Sequence, residues 1–448
     1  MLKRTVLVVA LLATGLASNT PASADDIDRL AAWSAQKNLE HILLHPGLGE
    51  PLEAKGIASV IEELLPAGIG AAQNPIAKIY NEARPQFSAP SGSDPARTLQ
   101  WQKETLDDTV TPSAHAWAII KLLALDSNAA NLTKKTKVNA EQLSALVSVI
   151  QHQLKTKGGI FVRRKTDEIL PPRQIDQSAT LWAFAQLALS TNSTIAPNWQ
   201  NFLNEKLKRP ALLEATDGSL KALMILPPVT PFEKAISIQA LGRFAIATEN
   251  ERQKHLALSL AESFAKSLKI DPGKNSVELA SSIYGLIEAG RLLSDFGYEV
   301  AGFELFRDRL APQWDELSGA FKEEIIAPRI TPNSAGITLA ALKAVSLFAP
   351  ESFALKARDF HSSFLETVLV KSGLQLAPPN SAPDFPQKNL SNPHPVFIKA
   401  VEWTNGTWRA VDSLFNSEQA LFLSVMLETG NQETSAIFLP RPLLVGLM

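Results

Sequence analysis

The sequence predicts an all-α fold in which about six helical hairpins close into a ring, with apolar helices inside and amphipathic helices outside. The first observation is a hydrophobic-proline element that recurs before apolar, small-residue stretches, as expected when one unit is repeated. The second is that an amphipathic helix follows nearly every such stretch, and the third is that the long connections fall at one end. The recurring elements are Ile169-Leu170-Pro171-Pro172, Ile225-Leu226-Pro227-Pro228, Ile270-Asp271-Pro272, Ile326-Ala327-Pro328 and a shorter Thr111-Pro112-Ser113-Ala114.

The apolar stretches are predicted to be the inner helices. Ala, Leu and Ile recur in them at helical spacing over lengths that exceed a strand, and a helix without a polar face must be buried. A proline near the helix start is tolerated because the first N–H groups have no partner inside the helix. The predicted inner helices are 112–125, 177–190, 234–247, 276–293, 334–348 and 417–428.

The amphipathic helices are predicted to form the outer ring. Leu256, Leu260, Phe264 and Leu268 show the spacing of four that places apolar side chains on one face. The sixth apolar helix has no amphipathic helix after it, so a helix from Ile27 to Leu43 is a candidate for closing the set. The other predicted outer helices are 138–156, 198–209, 251–269, 298–317 and 351–370.

The connections predict where a ligand would bind. Links from inner to outer helices are mostly short, whereas links from outer to inner helices are mostly long, so the long loops lie where the inner helices begin. Long loops collected at one end of a rigid scaffold commonly carry function. The long links are 157–175, 210–230, 318–330 and 372–416, and the last is predicted to be a loop over the mouth of the ring.

This pattern of helices resembles the α/α-toroid superfold over roughly Asp25 to Gly430. That superfold includes terpenoid-cyclase and prenyltransferase-like barrels, polysaccharide lyases and α-helical glycoside hydrolases. Lys157-Gly158-Gly159-Ile160-Phe161 is similar to the Gly-Gly-aromatic turn of prenyltransferase-like repeats, but it occurs once. The Asp-rich acid motif of squalene-type cyclases and the cysteine zinc ligand of prenyltransferases are absent, so the resemblance implies a fold and no particular activity. An open α-solenoid is the competing architecture.

Composition and the first residues indicate an exported protein. Lys3 and Arg4 precede an apolar stretch, and Ala22-Ser23-Ala24 fits a cleavage site, so residues 1–24 are predicted to be a secretory signal and 25–448 a single domain. With no cysteine, disulfides and thiolate chemistry are excluded. The charges are nearly balanced, 43 basic against 45 acidic residues, which gives no support for nucleic-acid binding. We expect a periplasmic or secreted location and no membrane span after signal cleavage.

Two groups of residues are candidates for ligand binding. Arg163, Arg164 and Arg173 lie in the most charged of the long loops, where helix N-termini would also favour an anion. A solvated hairpin with scattered charges is the structural alternative. Trp403, Trp408 and Arg409 lie in the longest loop, where the two indoles could stack on sugar rings or simply anchor the loop.

The candidate catalytic residues are His115, Tyr284 and Asp176. A His and Tyr pair with a neutralising arginine suits β-elimination on a uronate, and two carboxylates across the ring would suit a glycosidase. Each residue also has a structural interpretation, as a hydrogen-bonded core residue or a helix cap. The further acidic candidates near inner-helix starts are Asp107, Asp108, Glu233, Glu278 and Glu418.

No metal site or cofactor is predicted. His41 and His45 have helical spacing, but Pro46 and Gly47 end the helix at once, so a helix terminus is the preferred interpretation. The sequence therefore predicts a carbohydrate-active protein, a polysaccharide lyase or glycoside hydrolase, with an anionic glycan as its partner. The alternative is a non-catalytic toroid that binds an envelope protein as a scaffold.

Overall fold

The structure is a computed structural model, and it describes nine ranges of the chain. Within them the protein is largely helical, as the periodicity predicted. Residues 1–23 of the predicted signal 1–24, and most of the predicted outer helix 198–209, lie outside the described residues. The described ranges are 24–44, 48–51, 76–87, 99–127, 140–190, 209–322, 327–376, 395–427 and 437–439.

Thirteen α-helices fall within the described ranges. Three of them, α3, α10 and α12, continue into single π-helical turns at 149–153, 306–310 and 367–371. The helices are α1 (Ala24–Leu44), α2 (Pro112–Ser127), α3 (Ala140–Ser148), α4 (Gln174–Ser190), α5 (Arg209–Ala215), α6 (Asp217–Ile225), α7 (Pro231–Ala247), α8 (Glu251–Ile270), α9 (Ser276–Leu293), α10 (Phe296–Leu305), α11 (Pro332–Phe348), α12 (Glu351–Glu366) and α13 (Ser417–Met426).

Six of these helices form a closed cycle of contacts. In the order α2, α4, α7, α9, α11 and α13, each packs against the next, and α13 packs against α2. They are the six predicted inner helices, and almost every described side chain on them is buried. A helix buried on all sides needs neighbours on two flanks and a cover on its outer face, which a ring provides.

The remaining helices pack outside this cycle. α3 lies against α2, α8 against α7 and α9, α10 against α9, and α12 against α11, while α1 contacts both α13 and α12. α8 and α12 carry their buried residues on one face only. The inner cycle with outer amphipathic helices is the arrangement of the α/α-toroid superfold.

Local capping explains why three inner helices begin where they do. Thr230, Asn275 and Thr331 each accept a hydrogen bond from a backbone N–H of the first turn, and a side chain in that turn bonds back to the cap. This reciprocal arrangement satisfies N–H groups that would otherwise lack a partner. Pro231 and Pro332, which follow two of the repeated elements, occupy first helical positions, where the missing N–H has no helical partner to lose.

Two segments differ from the prediction. Residues 210–230 were expected to be a long loop, but α5 and α6 occupy most of that range and pack against α4. The outer helix expected at 298–317 ends earlier, because the chain turns through Ala311–Gln313 into a short strand pair. Pro210 and Gly218 lie within the helical turns of α5 and α6, whereas the outer helix was predicted too long because it was carried past Pro312.

Antiparallel strands were missed by the all-α prediction. The longest pair, β2 and β3, forms a twelve-residue hairpin beside the ring, and residues 372–416 contain five strands rather than only a loop. The strands are β1 (Gly49–Pro51), β2 (Ile76–Phe87), β3 (Leu99–Val110), β4 (Arg164–Lys165), β5 (Glu168–Ile169), β6 (Trp314–Asp315), β7 (Ala320–Phe321), β8 (Arg329–Ile330), β9 (Gln375–Leu376), β10 (Val396–Phe397), β11 (Ala400–Thr404), β12 (Thr407–Asp412) and β13 (Phe415–Asn416).

Aromatic side chains fill the centre of the ring near the start of the inner helices. Trp117 contacts Trp182 and Phe422, with ring centroids 5.5 and 5.3 Å apart. Phe232 reaches Phe422 at 5.3 Å although their helices, α7 and α13, stand opposite each other in the cycle. We call these four residues the aromatic floor, since they separate the mouth from the rest of the lumen.

A close backbone contact joins the charged loop at residues 157–175 to α6. Gly159 has a positive φ of 83° and lies directly against Gly218. A Cβ added at Gly218 would lie 1.9 Å from the carbonyl oxygen of Gly159, which no side-chain rearrangement can relieve. The single Gly-Gly turn of the sequence therefore serves a contact between two backbones.

We predict that Gly218→Ala lowers the free energy of unfolding by about 1–3 kcal/mol, the typical cost of overpacking. The clash should outweigh the gain in helix propensity, which is at most about 1 kcal/mol. Gly158→Ala is the matched control, because its added Cβ would approach nothing nearer than Thr156 Oγ1 at 3.8 Å. Urea denaturation of the three proteins would check this, and equal stabilities would contradict it.

Candidate functional site

The N-terminal ends of the inner helices form the mouth of the ring, above the aromatic floor. Hydrogen bonds join the β2–β3 hairpin to one side of this mouth. Ser417 at the start of α13 donates its hydroxyl to the carbonyl oxygen of Tyr80 at 2.6 Å, and Asn416 donates to Glu82 at 2.9 Å. The hairpin thus fixes the start of α13 and the residue that follows, Glu418.

Two carboxylates meet at one arginine on this side of the mouth. Arg173 donates to Asp176 through Nε at 2.9 Å and Nη2 at 2.8 Å, and to Glu418 at 2.7 Å. Asp176 also accepts from the hydroxyl of Ser113 at 2.8 Å. These contacts join the starts of α2, α4 and α13. We call Arg173, Asp176 and Glu418 the carboxylate cluster.

The members of the cluster differ in their access to solvent. The side chain of Asp176 is fully buried, that of Glu418 is 12% exposed and that of Arg173 is 32% exposed. Burial raises the pKa of Glu418, the attraction of Arg173 opposes this rise, and the nearby charge of Asp176 adds to it. Glu418 is therefore a carboxyl group that contacts solvent and whose pKa is raised by burial.

A second charged network continues from the cluster along the hairpin. Lys399 lies 2.8 Å from Glu82 and 3.8 Å from Asp412. Asp107 accepts from Asn81 at 2.8 Å, and this hydrogen bonding holds its pKa below the usual value although burial acts in the opposite direction. The side of the mouth next to the hairpin thus presents both signs of charge in fixed positions.

An open cavity of about 480 Å³ lies where α7, α9 and α11 begin. The Phe232 ring belongs both to its lining and to the aromatic floor, which connects the cavity to Phe422, one helical turn from Glu418. Arg329 on β8 is an exposed cation at this cavity. The other polar lining residues are Thr230, Asn275, Ser276, Glu278, Ser281, Thr331, Asn333 and Ser334.

His115 lies in the packed interior of the ring wall. Its Nδ1 is 2.7 Å from the carbonyl oxygen of Thr111, and its Nε2 is 3.2 Å from the N–H of Ile79 and 3.1 Å from the carbonyl of Ala77. Complete burial lowers its pKa to about 4, so the ring is neutral at neutral pH. These contacts give His115 the structural role of attaching the hairpin to α2.

Tyr284 is also fully buried, and its hydroxyl donates to the carbonyl oxygen of Ile437. Ile437 belongs to a short segment that lies against the C-terminal ends of inner helices, away from the mouth. The structure therefore does not bring Tyr284 to the side chains of Arg173 and Asp176. Of the three candidate catalytic residues, Asp176 alone is placed in the carboxylate cluster.

The candidate ligand-binding residues are spread over three places. Arg173 lies in the carboxylate cluster, whereas Arg163 bonds to the Pro171 carbonyl at 3.5 Å within the β4–β5 hairpin, and Arg164 lies on β4. Trp403 and Trp408 face each other across β11 and β12, with ring centroids 5.5 Å apart.

The two indoles and Arg409 belong to a hairpin beside the mouth. Trp408 donates its indole N–H to the Ser318 carbonyl at 3.1 Å, which anchors this hairpin to the β6–β7 turn. Arg409 is exposed on the same strand, opposite Glu402 in the ladder. Both tryptophans remain half-buried, so part of each ring stays accessible.

Among the acidic candidates in the sequence, Glu418 was not singled out for a role. Its position at a helix start was visible, but its partner Arg173 lies 245 residues away. Within the described ranges, no group of three or more His, Asp or Glu side chains is arranged to hold a metal ion. No helix in the same ranges is both long and apolar enough to cross a membrane.

Comparison with known proteins finds no matching family model and no matching curated protein. Among solved structures, the chain is similar to a sugar epimerase from a ruminal bacterium, with 9% identity, a TM-score of 0.49 and coverage of 89% of this chain and 99% of that one. It is also similar to a mutant unsaturated glucuronyl hydrolase from Streptococcus agalactiae, with 13% identity, a TM-score of 0.43 and coverage of 91% and 90%. The inner-helix contacts, rather than these similarities, establish the cycle of six inner helices.

We predict that the raised pKa of Glu418 makes the protein less stable as the pH rises above about 4.5, the ordinary value for Glu. In that range the folded state holds a proton that the unfolded state has lost, so deprotonation favours unfolding. Glu418→Gln removes this contribution, and its melting temperature should fall less than that of the unmodified protein between pH 4.5 and 7.5. Parallel melting curves across this range would contradict the prediction.

Proposed function

We propose that this protein is a periplasmic carbohydrate-active protein that binds an anionic oligosaccharide at the mouth of its helical ring. The observation that carries the proposal is the cavity of about 480 Å³, in which hydroxyl and amide side chains and one arginine surround aromatic rings. Sugar rings offer apolar C–H faces to aromatic side chains and hydroxyl groups to polar ones. Arg329 supplies a cation for a carboxylate or sulfate group.

The carboxylate cluster supports a hydrolytic reaction. A glycosidase needs one carboxylic acid whose pKa is raised so that it can donate a proton to the leaving oxygen. Glu418 fits this role because burial raises its pKa and part of its side chain is accessible. Asp176 is fully buried and accepts three hydrogen bonds from side chains, so we assign it the positioning of Arg173.

The same proposal includes the completion of the ring. We infer a closed toroid of six helical hairpins in which α1 serves as the outer partner of α13. The support is that α1 packs against the inner helices α13 and α2 and against the outer helix α12. Ala35 and Ile42 on α1 are fully buried, which gives this helix the apolar inner face of the outer ring.

A second candidate function is protein binding at the rim of the mouth. The repeated Ile-Leu-Pro-Pro elements place Ile169 and Ile225 at 55% and 71% exposure, and Val229 is 78% exposed. Ile270, in the third element, is 84% exposed. Exposed apolar side chains in corresponding positions of successive repeats favour contact with another protein. The aromatic floor makes the mouth shallow, which is also compatible with a scaffold.

A glycan screen of the mature protein would separate the two functions. Binding and turnover would be measured on uronate-containing and neutral oligosaccharides, through new reducing ends and the absorbance of unsaturated uronates. Hydrolysis gives reducing ends alone, whereas elimination gives both signals. A protein that binds none of these glycans, and whose association with envelope proteins is lost in an Ile225→Ser, Val229→Ser variant, would support the scaffold.

We predict that Arg329→Gln weakens the binding of an anionic oligosaccharide by about tenfold, since a charge-assisted hydrogen bond contributes more than 1 kcal/mol. The melting temperature should change little because the side chain is exposed. Arg252→Gln is the control, an equally exposed arginine on the outer helix α8. Calorimetric titration would measure the affinities. Equal losses for both variants would show a general charge effect and remove Arg329 from the site.

We predict that Glu418→Gln reduces turnover at least 100-fold while the affinity for the oligosaccharide stays within about threefold, because loss of a general acid removes a contribution of this size. The initial rate would be compared at several pH values. The unmodified protein should lose activity at high pH as Glu418 loses its proton. The residual activity of the variant should not show this decline. A variant with unchanged turnover would exclude Glu418 as the proton donor.

A further inference from the structure

The C-terminal ends of the inner helices hold a short segment of the chain without regular secondary structure. Residues 437–439, which we call the anchor segment, lie fully inside the protein, with exposures of 0%, 1% and 0%. The segment contacts α7, α9 and α11 near their ends, opposite the mouth.

Side chains of the ring bind the backbone of this segment at each residue. Tyr284 donates to the carbonyl of Ile437, Arg243 to the carbonyl of Phe438, and Arg291 to the carbonyl of Leu439. Glu288 accepts the N–H of Leu439 at 2.5 Å. Four side chains on two helices thus bind backbone groups of the segment, and hydrogen bonds to the main chain give peptide-binding sites affinity without regard to sequence.

The side chains of the segment have shaped positions. Phe438 packs between Tyr284 and Phe348, with ring centroids 6.4 and 5.4 Å away. Leu439 lies over Gly242, where an added Cβ would come within 2.5 Å of the leucine Cδ1. The guanidinium of Arg291 stacks 3.7 Å from the centroid of the Phe348 ring, which fixes the donor in place. An aromatic slot and a glycine notch therefore select apolar residues at two adjacent positions.

The charges in this site are costly without an occupant. Glu288 is fully buried, and Arg243 and Arg291 are about 5% and 6% exposed. Buried ionic groups are stable only when their hydrogen-bonding capacity is met, and the anchor segment supplies partners to all three. The geometry is that of a ligand site rather than of ordinary packing between helices.

We propose that the C-terminal ends of α7 and α9 form a binding site for a short apolar peptide, occupied by residues 437–439 of this chain, and that the site binds the same segment when it is supplied as a separate peptide. The occupant acts as a latch that closes the ring at the end opposite the mouth. This inference does not depend on any ligand at the mouth.

The experiment uses the full chain, folded before it is cut. A protease recognition sequence replaces residues 430–434, and cleavage then separates the anchor segment from α13. A fluorescent peptide with the sequence of residues 435–441 is added, and binding is followed by anisotropy after gel filtration. We expect the peptide to bind the cleaved protein saturably and to be displaced by the unlabelled peptide.

Altered peptides test backbone recognition without changing the protein. A peptide with N-methyl-leucine at position 439 lacks the N–H that Glu288 accepts, and it should bind at least tenfold more weakly. N-methylation at Phe438 is the control, because that N–H makes no hydrogen bond within the part of the chain that the structure describes. A scrambled peptide of the same composition should bind weakly.

Variants of the chain test the notch and the guanidinium. Gly242→Ala should weaken binding of the unmodified peptide at least tenfold. A peptide with Leu439→Ala should regain most of the lost affinity for this variant. Arg291→Met should weaken binding by a similar factor, whereas Arg252→Met on the outer surface should not. The proposal is overturned if the cleaved segment separates and neither it nor the labelled peptide rebinds, or if binding is indifferent to both the N-methyl-leucine and Gly242→Ala changes.

Discussion

The closure of six apolar helices into a cycle is the constraint on which the rest of the structure depends. The inner helices carry apolar or small side chains on nearly all faces, so each must be covered by two flanking helices, an outer helix and material in the lumen. Small residues permit the close approach, as at Gly285 against Ala235. Once the cycle is closed, the lumen must be filled, and the chain fills it at two levels.

These two fillings are chemically different. Near the mouth, Phe232 and Phe422 meet from opposite helices, and these two rings need no hydrogen bonds. At the other end a backbone segment enters, and its carbonyl groups require donors in a dry environment. Arg243, Arg291 and Tyr284 supply those donors. The buried charges at that end are needed because a backbone segment fills the lumen there. The carboxylate cluster at the mouth binds no such segment.

The sequence predicted the inner helices closely because their signal is local. An apolar stretch of helical length between a proline and a short turn indicates that the segment is a helix and that it is buried. The predicted bounds of α9, 276–293, agree with the structure. The β2–β3 hairpin was missed because its polar strands show no clear alternation, and its support comes from contacts such as Ile79 with His115. Within the site, Arg173 and Asp176 are three residues apart, so their pairing can be predicted from the sequence. Glu418 and Ile437 find their partners 245 and 153 residues away, and no local pattern reveals that.

The difference between the two ends indicates where a foreign ligand has room to bind. At the far end Glu288 and Arg291 bind the backbone of Leu439, and Phe438 fills the aromatic slot. At the mouth, the cavity beside Phe232 is open, and the exposed cation Arg329 lines it. A binding site needs polar groups that are held in position before the ligand arrives but are not fully satisfied by the protein. Capping boxes and the hairpin hold the mouth in position, so rigidity there does not depend on the lumen being filled by a ligand.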